Sequence, residues 1–461
     1  MKKFTAIALV VLMVVALVPF GAFADTNWTE VKTAKDFAAM KDGNYWLTAD
    51  IDLSDEDWTT ISEFTGTLNG NGHTVTVPEE APIFDTLKGT VKNLVLDGFC
   101  DLDTNDRGSY VPANNFLNGG VSVFANYACG ATITNVTSLV DVTYYGEHAN
   151  FGGLVGIASA ASADKKTVIS NCVVDGEISF RTDALGEVAT GCLIGYSCGG
   201  VEVINTEVSA LANIEGGSQN AGAFVGFCLF NGSGTEYVPT LFENCLFSGN
   251  LTVKFANRVA WAGQAKGLTL KNCFISGAIR SSGVVAHFAG WGNVGNSATP
   301  NNQTNTIDGC ASICNIIGSG KHFSRIKTAN AHVNNCLLLA DQPIGDGPAQ
   351  ENNVVMASAD ELVAEFINRN GEAFKLVDGK VTLVQPVFTP ENAPFESTGT
   401  TENPEDTTAQ QTENTTKPAT DDDSTSDKKE EGGCKSFTVS LGATVAVVSL
   451  AAVTVLSKKR R

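Results

Sequence analysis

The residues able to do chemistry are few and scattered. An acidic run, Asp50, Asp52, Asp55, Glu56 and Asp57, offers the oxygen ligands calcium takes. It lacks the regular spacing of a dedicated calcium loop, so it reads as a solvated turn. His73 follows the tight-turn sequence Asn69-Gly70-Asn71-Gly72 and reads as a strand start rather than a metal ligand. No His-x-x-x-His and no regular metal-binding cysteine spacing occurs, and no cofactor or catalytic residue is expected. Glycoside cleavage needs two carboxylates about 5–9.5 Å apart. The acids cluster in turns and near the C-terminus, and the repeated apolar runs carry few. What remains is aromatic. Tyr144 and Tyr145, with His148, fall in an irregular stretch, and Trp261 and Trp291, with His287, fall near later corners. A ring at such a place can stack on a sugar, so these four rings are the glycan-binding candidates, against the alternative that they pack a core.

The elements that must position such a surface come from one pattern, repeated eight times. It is clearest as Val168-Ile169-Ser170-Asn171-Cys172-Val173-Val174 and recurs around Asn244-Cys245, Asn272-Cys273 and Asn335-Cys336. Weaker copies lie at Asn93, Asn135, Asn205 and Gly309-Cys310, in steps of roughly 26 to 42 residues. That period implies a solenoid. Short runs rich in Val, Ile and Phe are strands, and Gly at their ends supplies sharp corners. Three strands and three corners are expected per coil. Stacked coils would align the Asn residues into a hydrogen-bonding ladder and the Cys residues into a column of small apolar side chains. Thiol stacking is therefore the expected role of the 12 cysteines. Cys192–Cys198 and Cys310–Cys314 are the most local candidates for a disulfide.

Gly153-Leu154-Val155-Gly156, with near copies at 191–195 and 222–226, resembles the GLUG repeat of bacterial surface proteins. The resemblance covers roughly residues 28–385 and implies a right-handed parallel β-helix. It does not imply an activity, because such scaffolds carry lyases, hydrolases, adhesins and inert stalks. Arg325-Ile326-Lys327 resembles one element of β-helical pectin hydrolases, but the other elements of that family do not stand here in order.

Composition sets outer limits. With 461 residues, 43% hydrophobic, the chain can bury a large core, and its net charge of −20 argues against nucleic acid as a partner. Residues 1–24 read as a signal peptide, cleaved after the small-x-small sequence Ala22-Phe23-Ala24. Residues 25–388 form the expected β-helix ectodomain. Thr33 begins a short helix presenting Phe37 and Met40 to the first coil, and Ser358 begins a helix in a closing cap over residues 354–385. Stretches 99–120, 140–150, 211–220, 230–240 and 292–306 break the rhythm and read as loops leaving the corners. Residues 389–433 are a disordered acidic linker rich in Thr, Glu and Asp. In residues 434–461 the run Phe437 to Ser457 is long enough to span a bilayer, with Lys458-Lys459-Arg460-Arg461 holding its end inside. Gly432-Gly433-Cys434 before it is a candidate processing or lipidation point.

The expected fold class is thus all-β: a right-handed parallel β-helix with short capping helices, a disordered linker and a transmembrane helix. The expected protein stands on a bacterial cell surface, anchored in the cytoplasmic membrane. It binds extracellular glycans or cell-surface molecules as an adhesin through corner loops. A polysaccharide lyase or glycoside hydrolase on the same scaffold, and a passive envelope stalk, are the alternatives.

Overall fold

Asparagine marks one corner in coil after coil. The computed structural model describes residues 27–392 apart from 55–56, 104–118, 147–148, 182–188, 217–219, 230–237, 255–257, 293–303, 327–330 and 345–347. In it Asn93, Asn135, Asn171, Asn205, Asn244, Asn272 and Asn335 all have left-handed backbone, with φ between 48° and 58°. That region costs an ordinary residue roughly 1–2 kcal/mol, and Asn tolerates it because its short amide bonds locally. Gly309 takes the same place with φ 63°. A Cβ on Gly309 would lie 2.5 Å from Asn272 Oδ1, which accounts for the missing side chain.

Amide bonds climb the corner. Asn135 Nδ2 donates to Asn93 Oδ1 at 2.8 Å, Asn205 Nδ2 to Asn171 Oδ1 at 3.4 Å, and Asn272 Nδ2 to Asn244 Oδ1 at 3.4 Å. The next position points inward and is Leu94, Val136, Cys172, Thr206, Cys245, Cys273, Cys310 or Cys336, all buried, and Thr206 satisfies its hydroxyl by donating to Ile204 O at 3.0 Å. Cys172, Cys245, Cys273 and Cys336 each donate to a carbonyl one coil back, at 3.4–3.6 Å. All eleven cysteines among the described residues are free thiols, including both local pairs, 192–198 and 310–314. Burial pushes Cys172 and Cys192 up to about 12, so they behave as apolar packing groups.

The strand before the corner pairs in parallel and in register along the stack: Ile133, Ile169, Val203, Phe242, Leu270, Ile307 and Val333 are successive partners. These strands and those just after the corner form a 21-stranded sheet, and the remaining wall is a 17-stranded sheet. One hydrophobic core runs between them. Its aromatic side chains stack from coil to coil, with centroids 5.3 Å apart for Phe64–Phe84, 5.4 Å for Phe84–Phe124 and 4.8 Å for Phe288–Phe323. The fold is therefore a parallel β-solenoid.

The coil has more strands than the three expected. One holds Thr167–Ser170, Val173–Val174, Glu177–Arg181, Ala189–Gly191 and Ile194–Ser197. The Asn corner splits one expected run. A close backbone approach splits another: a Cβ on Gly152 or Gly191 would lie 1.8 or 2.0 Å from the carbonyl oxygen three residues on. This explains the Gly that opens Gly152-Gly153-Leu154-Val155 and its copies.

The two ends differ. Thr33 Oγ1 accepts from Asp36 N at 3.1 Å and caps the helix Ala34–Ala38, which places Phe37 and Met40 in the core as expected. The helix Ala359–Asn370, N-capped by Ser358, does not close the other end. With the hairpin Phe374–Val377/Lys380–Leu383 it lies on the flank, burying Leu362, Phe366 and Phe374 against Leu246, Phe274, Ala311 and Leu337. Those four are register partners in successive coils. The same column holds Thr137, Val173 and Glu207 in earlier coils, so only its later part has an apolar surface to cover. Val355, at the end of a core column, stays 63% exposed.

Past the hairpin the chain returns along the Asn corner. Gln385 Nε2 donates to Asn205 O at 3.1 Å, and Glu391 N donates to Asn71 Oδ1 at 3.0 Å. The chain divides into units 1–397 and 398–461, and the second lies wholly outside the described residues. The expected signal peptide, with Ala22 and Ala24, the linker beyond residue 392, Gly432-Gly433-Cys434 and the expected membrane helix also lie outside them. No helix among the described residues is long and apolar enough to cross a membrane.

Replacing Asn171 with Ala is expected to lower the unfolding free energy by about 1–3 kcal/mol, from left-handed strain plus a lost amide bond. Asn171→Gly, which keeps the backbone at ease, should lose clearly less. Urea titration of the two variants checks this, and equal losses would contradict the strained corner.

Candidate functional site

One side of the solenoid is open and regular. Strands Phe99–Asp103, Asp141–Tyr145, Glu177–Arg181, Leu211–Glu215 and Asn250–Val253 stack in parallel, continued by residues 278–281 and 315–317. Each alternates. Leu102, Tyr144, Phe180, Ile214 and Val253 point into the core, and the residues between them face out. One outward row reads Asp101, Thr143, Ser179, Asn213, Thr252, Arg280 and Ile317. Beside it run Asp103, Tyr145, Arg181 and Glu215. With coils about 4.8 Å apart, the face is about 29 Å long. Residues 99–103, 141–145 and 211–215 had been expected in corner loops. They are strands because their apolar residues fall at every second position, the pattern of a wall with one wet face.

The face mixes charge, hydroxyl and apolar groups. Lys254 bonds to Glu215, holding that carboxyl below its usual range, with Arg181 adding to the effect. Phe99 and Tyr145 are each 52% exposed, and Leu211 and Ile317 also stand out from the surface.

The four ring candidates divide. Tyr145 lies on the open face. Tyr144, its neighbour, is fully buried, and its hydroxyl donates to Gly152 O at 2.6 Å. Trp261 is fully buried too, stacked on Phe224 with centroids 3.9 Å apart and planes 4° apart. Neither ring can meet a sugar, and both are corrected to core residues. Trp291 is half-buried, with the Arg258 guanidinium 4.0 Å over its ring. That cation is itself held by Asn220 and Gln264, so one face of the ring is occupied.

The other groups have structural duties. His287 is buried, with Nδ1 2.7 Å from Ser312 Oγ, and His148 lies outside the described residues. Asp52 accepts from Ser54 N at 3.0 Å, as a turn requires, and Asp50 accepts from Thr74 N of the next coil at 2.9 Å. His73 precedes the strand Thr74–Thr76 and sits 3.1 Å from Asp50. Arg325 donates to Gly290 O at 3.1 Å, and Lys327 lies outside the described residues. Gly195-Tyr196-Ser197-Cys198-Gly199 matches the Gly-x-Ser-x-Gly pattern, and reading that motif as absent from the sequence is corrected. A nucleophile elbow needs an exposed hydroxyl on a strand-to-helix turn. Ser197 instead ends a strand, is fully buried, and has Oγ 2.6 Å from Thr240 Oγ1.

One acid pair was also missed. Asp175 and Glu207 sit on adjacent coils just past the Asn corner, and burial raises both carboxyls, with Asp175 adding its charge to Glu207. Ser248 Oγ donates to Glu207 Oε1 at 2.7 Å. The pair follows from register, since Glu207 stacks on Val173, and no local motif announces it.

No family model matches the chain, the GLUG repeat included, and no curated protein matches it. Among solved structures, a candidate immunoglobulin A1 protease from Bacteroides ovatus is similar at 15% identity with a TM-score of 0.42, covering 78% of this chain and 92% of that one. A likeness that distant bears on neither fold nor activity. The class rests on the strand register alone: an all-β parallel solenoid.

Glu207 carries a pH prediction. Its folded carboxyl titrates above the ordinary 4.5, so the native state holds the proton more tightly than the unfolded chain. Its stabilising share is complete below that value and is lost as pH rises through the folded value. Thermal melts should therefore match for wild type and Glu207→Gln near pH 4, and the variant should be the more stable at pH 7. A less stable variant at pH 7 would contradict the burial account.

Proposed function

We propose that this is a bacterial cell-surface protein whose parallel β-helix, right-handed and of the GLUG kind, binds an extended polysaccharide along its open face. Export by residues 1–24, a flexible tether over 393–433, past the docked Glu391, and an anchor over 434–461 complete the reading. The observation that supports it is the row Thr143, Ser179, Asn213, Thr252 beside the exposed Tyr145 ring. Hydroxyl and amide groups both donate and accept, as sugar hydroxyls do. Their strict repeat suits a ligand that is itself a repeat. Tyr145 supplies the stacking plane, and Arg181 stands next to it for a carboxylated or sulfated unit.

Glycan arrays probed with residues 25–397 should give binding to a polysaccharide class. Tyr145→Ala should weaken that binding about tenfold, or about 1.4 kcal/mol, with an unchanged melting curve. No binding to any glycan would favour the passive stalk. New reducing ends or lost viscosity in a treated polysaccharide would favour the enzyme.

A further inference from the structure

Where the end of the flank helix meets the Asn corner, a polar cleft of about 540 Å³ opens. Glu243, Asn244 and Asn272 line it from the solenoid, and Asn368, Arg369, Asn370 and Glu372 from the helix end. Its volume falls within the range of small-molecule sites, about 300–1,000 Å³.

Most of these groups have one hydrogen-bonding half committed. Asn368 Nδ2 donates to Glu365 Oε2 at 3.3 Å, Asn370 Nδ2 to Phe366 O at 3.0 Å, and Asn272 Nδ2 to Asn244 Oδ1 at 3.4 Å. Arg369 uses Nε on Glu365 at 2.8 Å and Nη1 on Asn335 O at 3.1 Å. Glu243 Oε1 accepts from Lys271 Nζ at 2.5 Å. Among the described residues this leaves as acceptors the Oδ1 atoms of Asn272, Asn368 and Asn370, the second oxygen of Glu243 and the Glu372 carboxylate. The donors left over are Asn244 Nδ2 and the second terminal nitrogen of Arg369. The amide ladder is also interrupted here. Asn205 Oδ1 is buried with no partner, so the bond that joins Asn171 to Asn205 is not repeated from Asn205 to Asn244.

We propose that this cleft is a second saccharide site, for a neutral, hydroxyl-rich sugar unit. An anion would call for donors only and a cation for acceptors only. Here both are left over and interspersed, and the ligand group that satisfies both with one atom is a hydroxyl. The inference shares its ligand class with the proposed function but not its residues, so the two can fail separately.

The test is titration of the full chain in detergent micelles with neutral gluco-, manno- and galacto-oligosaccharides, followed by ligand-observed NMR. Gly371 has φ −64°, and a Cβ there would meet only Ile367 O at 3.1 Å. Gly371→Tyr should therefore fold and fill the cleft, and Asn368→Ala changes an exposed side chain. The expected result is an oligosaccharide whose binding survives Tyr145→Ala, falls at least tenfold in Gly371→Tyr and falls measurably in Asn368→Ala, all with native melting curves. The cleft is overturned if every bound oligosaccharide is lost with Tyr145→Ala and kept by both cleft variants. Absence of any oligosaccharide binding by the wild-type chain overturns it as well.

Discussion

Each coil can hide its apolar side only on the next one, and the rest of the molecule follows from that. Fixing a residue costs about 1–2 kcal/mol, and burying a Val, Leu or Phe returns about 1.5–3. A lone coil has nothing above or below it to bury against. Stacking in strict register solves this and holds the columns that face the core to residues that can be buried. The Asn corner is the tightest column: left-handed backbone, a side-chain bond along the stack, and Gly309 where a side chain would collide with Asn272.

The same register makes the outside useful. Inward columns must be apolar, but outward columns are free, and whatever they hold is repeated at the coil spacing. On the open side that gives the Thr143–Thr252 row with Tyr145 and Arg181 beside it. On the flank one column changes from Thr137, Val173 and Glu207 to Leu246, Phe274, Ala311 and Leu337. The apolar half binds the C-terminal helix, and the end of that helix against the Asn corner forms the polar cleft.

Much of the scaffold was legible in the sequence because the constraint is local and repeated. Asn171-Cys172 and its copies gave the column, and Thr33, Phe37 and Met40 gave the first plug. The flank docking of the helix after Ser358 was not legible, since its partners Leu246 and Phe274 are distant in the chain and meet it only after stacking. The candidate site was read in part. Tyr144 and Trp261 were judged by type and position near a break, when the alternation Val142, Tyr144 against Thr143, Tyr145 already assigned them opposite faces. The same alternation in Glu177–Arg181 and Leu211–Glu215 would have revealed the open face. The Asp175–Glu207 pair could not be found this way, because the two acids meet across coils.

Spin-label distance measurement along the open face tests the in-register solenoid most directly. Labels would be placed at Thr143 with Arg280 and at Asp101 with Ile317, with Cys129, Cys198 and Cys434 replaced by Ser and the buried thiols left in place. Register puts these pairs four and six coils apart, or backbone separations of about 19 and 29 Å. Two narrow distributions that differ by about 10 Å are predicted. Broad distributions, or a second separation no longer than the first, would contradict the account.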